Sequence, residues 1–141
     1  MMAIHPDAIP KPYVVTGLDT VTTKTGLQYI KVKTTDGKRI VNNDTVFVKY
    51  VAYFEDGKIL ESTYERDDSL RIIAGSKTMI PGLIEVVEYM KEGEKARVII
   101  PYQLGFGEDG RPPVIPRKTT LIFDLYIQSV KPGALKMPEG R

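Results

Sequence analysis

Apolar residues alternate with polar ones through much of this chain, and the alternation predicts strands. Residues 27–33, LQYIKVK, form the first such run. Residues 45–54 form a longer one, with Val46, Val48, Tyr50 and Ala52 on one face. Asp56-Gly57 then supplies a hairpin turn into a returning strand over residues 58–62. Residues 69–74 make a further strand, with Leu70, Ile72 and Ala74 pointing one way. Residues 94–101 follow the same rule through Ala96, Val98 and Ile100. The last and longest strand covers residues 119–130, with Leu121, Phe123, Leu125 and Ile127 in register.

One segment breaks the period of two. Leu83, Val86, Val87 and Met90 fall at i, i+3, i+4 and i+7, which is one face of a helix. Pro81 suits the start of that helix, because its missing N–H would have no partner there anyway. Gly93 lies near its stop. About five antiparallel strands and one short helix must share one core, so the pattern predicts an α+β domain with a twisted sheet wrapped around the helix. Residues 1–25, with Pro6, Pro10 and Pro12, read as an extended arm. Residues 26–130 read as the domain, and residues 131–141 as a tail.

The same alternation puts Val51, Tyr53, Ile73, Ile99, Ile122 and Tyr126 on the sheet face away from the helix. That is a large apolar surface for a face that would otherwise be wet. Either the arm, through Ile9, Tyr13, Val14 and Val15, or a partner protein is expected to cover it.

Composition narrows the function classes. The chain has 141 residues, enough for one domain with a real core. Its 20 basic and 18 acidic residues are interspersed, so there is no electrostatic footprint for nucleic acid. No apolar run reaches the roughly 18 residues of a membrane span. The opening MMAIHPDAIPKP lacks the apolar stretch of a secretory signal, which points to the cytoplasm, or to export if a signal preceded it. With no cysteine, disulfides and thiol chemistry are excluded.

Other candidate chemistry falls away on inspection. Residues 105–110, GFGEDG, match the spacing of a dinucleotide-binding turn, but Arg111-Pro112-Pro113 follows where that turn needs a helix. His5 is the only histidine and has no partners for a metal site or a catalytic triad. Glu55-Asp56 and Glu108-Asp109 read as solvated turn carboxylates. What remains is apolar. Phe106 and Ile115 stand in a loop rich in glycine and proline, where they suggest one wall of a cleft.

Several motifs together make the chain resemble the FKBP-type peptidyl-prolyl cis-trans isomerases. They are Tyr50, EDGK at 55–58, Gly75, Ile80-Pro81-Gly82, Met90 with Gly93, Gly105-Phe106-Gly107, PPVIP at 112–116 and LIFD at 121–124. The similarity covers residues 26–130 and suggests a single-domain bacterial-like member, since TTKTGLQY at 22–29 is similar to the lead-in of bacterial members and no chaperone insertion interrupts the flap loop.

The resemblance implies an isomerase, and a folding helper, that acts on X-Pro bonds by desolvation and orientation. It needs no cofactor, metal or covalent catalyst. Proline-containing polypeptides, and macrolide ligands, would be its partners. The implied pocket residues are Tyr50, Leu60, Leu70, Met79, Ile80, Leu83, Phe106, Val114, Ile115 and Phe123. The Ile80 N–H would hold a substrate carbonyl, and Glu61 stands where the family usually has an aspartate. Leu60, Leu70 and Leu83 replace aromatic residues usual in the family, and Phe106 replaces the flap tyrosine. These departures imply a slower enzyme. The alternative is an FKBP-like binding subunit of a larger assembly, with little catalysis.

Overall fold

The computed structural model describes residues 9–66 and 68–133. Residues 1–8, including His5, and 134–141 of the expected tail lie outside the described residues. The strands are β1 (Val21–Thr22), β2 (Gln28–Lys33), β3 (Thr45–Phe54), β4 (Ile59–Ser62), β5 (Leu70–Ile73), β6 (Lys95–Ile100) and β7 (Leu121–Lys131). The helix α1 spans Pro81–Val87. No helix among the described residues is long and apolar enough to cross a membrane.

All strand pairs are antiparallel, and the sheet runs β1-β2-β6-β7-β3-β4, with β5 also on β3. The α+β sheet-and-helix architecture is the expected one, with seven strands in place of about five. One extra strand, β1, is only two residues long and sits in the segment read as arm.

Two features of the sheet prepare the site. First, β4 and β5 share one edge of β3. β4 pairs with Val51–Tyr53 and β5 with Thr45–Val48. Thr63, fully buried, fills the gap between them. Its hydroxyl accepts from the Tyr50 N–H at 2.9 Å, and its own N–H donates to the Tyr50 carbonyl at 3.1 Å. Tyr50 is thereby fixed where no neighbouring strand could hold it. Second, a bulge in β7 opposite Phe47 and Val48 skips a residue, so Ile127 and Val130 both face the core.

The helix is shorter than its pattern. Beyond Val87 the chain winds on through i→i+3 bonds at Glu88, Tyr89 and Met90, and Met90 stays buried. Gly93 does not end α1. Its N–H instead donates to Ile127 O at 2.8 Å, which ties the helix exit to β7. The helix lies against β6 through Gly82, where an added Cβ would stand 2.8 Å from Ile100 Cγ2. Leu83, Val86 and Val87 then enter the core with Val48, Val98 and Leu125.

The outer face is covered in part by the arm. Val51 and Tyr53 are buried yet stand outside the helix-side cluster, while Ile73, Ile99, Ile122 and Tyr126 are half-buried. Tyr13 crosses this face. Its N–H donates to Asp124 Oδ2 at 2.8 Å and its hydroxyl to Leu125 O at 3.2 Å. Burial, and then the nearby Tyr64, Asp124, Tyr53 and Tyr126, push the Tyr13 hydroxyl well above its ordinary range. Asp124, itself buried, takes a two-point contact from Arg97 at 2.8 and 3.0 Å. Val14 points away and is 78% exposed, so it does not share the covering role expected for it.

Candidate functional site

Between the loop before α1 and the Gly/Pro-rich flap lies a cavity of about 710 Å³. The loop contributes Lys77, Thr78, Met79 and Ile80. The flap contributes Gly105, Phe106, Gly107, Gly110 and Arg111. Of the residues expected from sequence, Met79, Ile80 and Phe106 line the opening directly. They are half-buried and pack against the main core, as do Leu60 and Leu70.

Tyr50, Leu83 and Phe123 are buried in the core cluster on which those residues pack. The Tyr50 and Phe123 rings meet at 5.1 Å and 52°, a tilted pair that fixes both. Leu83 is 1% exposed, so this α1 residue supports the site from below.

Ile115 is buried within the flap, where its N–H and carbonyl bond to Arg111. Val114 is not brought to the cavity. It is 61% exposed and lines a separate crevice with Phe54, Lys58 and Thr120. Val114 lies in the turn that the Arg111–Ile115 bridge closes, which leaves it outside while Ile115 is buried.

Polar groups at the site are few and oriented. The Tyr50 hydroxyl donates to the Glu61 carboxylate. Burial first, and then this carboxylate, push the Tyr50 hydroxyl well above its ordinary value, against a smaller opposing effect from Arg66. Tyr50 therefore stays protonated and neutral across the physiological range. Among the described residues the Ile80 N–H meets no acceptor, while the Ile80 carbonyl takes the N–H groups of Leu83 and Ile84. No group of three His, Cys, Asp or Glu among the described residues is placed to hold a metal ion.

Lys77, Thr78 and Arg111 line the cavity, and Thr63 and Arg66 bear on Tyr50, without having been marked by the sequence. Loop cations have no period to betray them. The one available signal for Arg111 was its place directly after Gly105–Gly110.

Comparison with known proteins agrees with this geometry. The sequence profile of the FKBP-type peptidyl-prolyl cis-trans isomerases matches residues 37–128. The chain is 34% identical over 120 residues to a probable FKBP-type peptidyl-prolyl cis-trans isomerase of Haemophilus influenzae, covering 85% of this chain and 49% of that one. It is 36% identical over 112 residues to the FKBP-type isomerase FkpA of Escherichia coli K12, covering 79% and 40%. The chain thus spans less than half the length of these two relatives.

Its fold superposes on the crystal structure of Escherichia coli FkpA with a TM-score of 0.73 at 35% identity, over 80% of this chain and 52% of that one. An isomerase from Pseudomonas syringae shares the fold, with a TM-score of 0.72 at 23% identity, over 79% and 80%. On the profile match, the two bacterial relatives and the shared fold, the chain belongs to the FKBP-type peptidyl-prolyl cis-trans isomerase family.

Proposed function

We propose that this chain isomerises X-Pro peptide bonds in proline-containing polypeptides, in the cavity between the loop before α1 and the flap. The observation that carries the reading is the make-up of that cavity: Met79, Ile80 and Phe106 at the opening, over a core that holds Tyr50, Leu83 and Phe123. Leu60 and Leu70 extend the apolar wall, Ile115 stiffens the flap, and Glu61 holds the Tyr50 hydroxyl.

The chemistry suits a barrier set by amide resonance. Rotation about a peptide bond costs about 18–20 kcal/mol, and X-Pro bonds turn over in tens to hundreds of seconds unaided. A planar amide separates charge, and twisting it reduces that separation. A water-poor apolar pocket therefore stabilises the twisted form relative to the planar one. Clamping the proline ring between Ile80 and Phe106 adds orientation. The Ile80 N–H, without an acceptor among the described residues, supports a role in holding the substrate carbonyl, so that rotation occurs about one bond with one end fixed. No step moves a proton or needs a nucleophile. Macrolides that mimic a twisted X-Pro segment would occupy the same cavity.

A protease-coupled assay on a short X-Pro peptide tests this reading, with a macrolide of the kind that FKBP domains bind as competitor. The expected result is accelerated cis-to-trans conversion that the macrolide suppresses. Conversion at the uncatalysed rate in the presence of folded protein would contradict it.

A further inference from the structure

The side chains that line the cavity include two cations and no carboxylate: Lys77 from the loop and Arg111 from the flap. The ion pairs among the described residues join Lys31 to Glu94, Lys38 to Asp44 and Arg97 to Asp124, so neither cavity cation is neutralised there. A purely apolar proline pocket has no need of them.

Arg111 is also held in place. Its N–H donates to Ile115 O at 2.8 Å and its carbonyl accepts from Ile115 N–H at 2.9 Å. Gly110 before it has φ +65, and an added Cβ would lie 2.2 Å from Pro116 O, so only glycine permits this turn. The guanidinium carbon sits over the Phe106 ring, 5.2 Å from its centroid. That contact engages the guanidinium without using its N–H groups. Among the described residues those N–H groups have no acceptor. The flap carboxylates Glu108 and Asp109 are exposed and do not line the cavity, and Glu61 is engaged by Tyr50. A preset guanidinium with open donors fits a carboxylate.

We propose that Arg111, aided by Lys77, forms a carboxylate subsite beside the proline pocket, so that the chain favours X-Pro segments with Asp or Glu adjacent to the proline. This inference rests on the isomerase reading and adds a substrate class to it.

Peptides with blocked ends test it, carrying Glu, Gln or Lys either immediately before or immediately after the proline. At low salt kcat/KM should fall in the order Glu, Gln, Lys at one of the two positions, with Glu about threefold above Gln, as befits an exposed ion pair. The gap should lie in KM and shrink at about 0.5 M salt. Arg111→Gln should remove most of the gap between the Glu and Gln peptides, whatever it does to the absolute rate. Lys77→Gln should narrow the gap less, and Arg111→Lys should restore part of it.

Equal kcat/KM for Glu and Gln at both positions, or a gap that Arg111→Gln leaves undiminished, would overturn the subsite while leaving the isomerase reading intact. If no peptide is turned over, that reading falls. The subsite is then decided by NMR titration of the same peptides: salt-sensitive tighter binding of the Glu peptide supports it, and equal binding overturns it.

Discussion

The Tyr50 hydroxyl on β3 donates to the Glu61 carboxylate on β4. Glu61 stands opposite Ala52, so Tyr50 is its diagonal neighbour on the same face. Tyr50 is buried while Glu61 is exposed, so the bond ties a core ring to a surface carboxylate. Removing the hydroxyl returns Glu61 to water and leaves the ring packed on Phe123. Tyr50→Phe should therefore keep the fold, lose about 0.5–1.5 kcal/mol in denaturant unfolding, and lower kcat/KM no more than about tenfold. A larger loss of activity with unchanged stability would give the hydroxyl a direct chemical role that a desolvation mechanism does not contain.

The pH dependence follows from the groups involved. No histidine lies among the residues that build the site, so activity should be flat between about pH 6 and 8. Alkaline stability should not be flat. Burial raises the Tyr13, Tyr50, Tyr53 and Tyr64 hydroxyls above the ordinary 10.0. A group raised in the folded state contributes fully below its unfolded value and loses that contribution as pH rises through the folded one. Denaturation midpoints should thus hold to about pH 10 and fall beyond it, less steeply in Tyr13→Phe than in the parent.

On the acid side the sign reverses. Burial alone would raise Glu94, but bonds from Lys31 and from the Lys91 and Thr35 N–H groups more than offset it and hold the carboxyl below 4.5. Its contribution is present above that value and is lost as pH falls through the folded one.

The arm should matter to stability. Tyr13→Ala removes a half-buried ring and the bond to Leu125 O, and uncovers part of the Tyr53 side of the sheet. A loss of about 1–3 kcal/mol is expected in urea unfolding. Deleting residues 1–20 should in addition promote association, visible by light scattering. A deleted chain that stays monomeric with unchanged stability would show that the arm is not the cover.

Family aromatics need not fit here. Phe106→Tyr adds a hydroxyl at the cavity opening and should raise macrolide affinity by about 1 kcal/mol at most. Leu83→Trp enlarges a residue that is 1% exposed. It should cost about 1–3 kcal/mol of stability by overpacking, measured by thermal or denaturant unfolding.

Strand alternation placed β2 to β7 within a residue or two, because the sheet buries one face and pins its register. It could not reveal that β4 and β5 share one edge of β3, since the join depends on a single buried threonine, Thr63. The helical period overran α1 because 3-10 winding still delivers Met90 to the core. At the site, Met79, Ile80 and Phe106 were legible through motifs shared with a family. Val114 and Ile115 look equivalent in sequence, and only the flap's bond between Arg111 and Ile115 separates them. Arg111 and Lys77 were invisible because a loop cation acquires meaning from the ring or cavity it faces.

Two-dimensional NMR exchange on a short, blocked X-Pro peptide with a small amount of protein tests isomerisation in this cavity. Cis–trans exchange cross-peaks should appear that are absent for the peptide alone, unchanged by a chelator, and abolished when a macrolide fills the cavity behind Phe106. Exchange no faster than in free peptide while the protein remains folded, or acceleration that persists with the cavity filled, would contradict it.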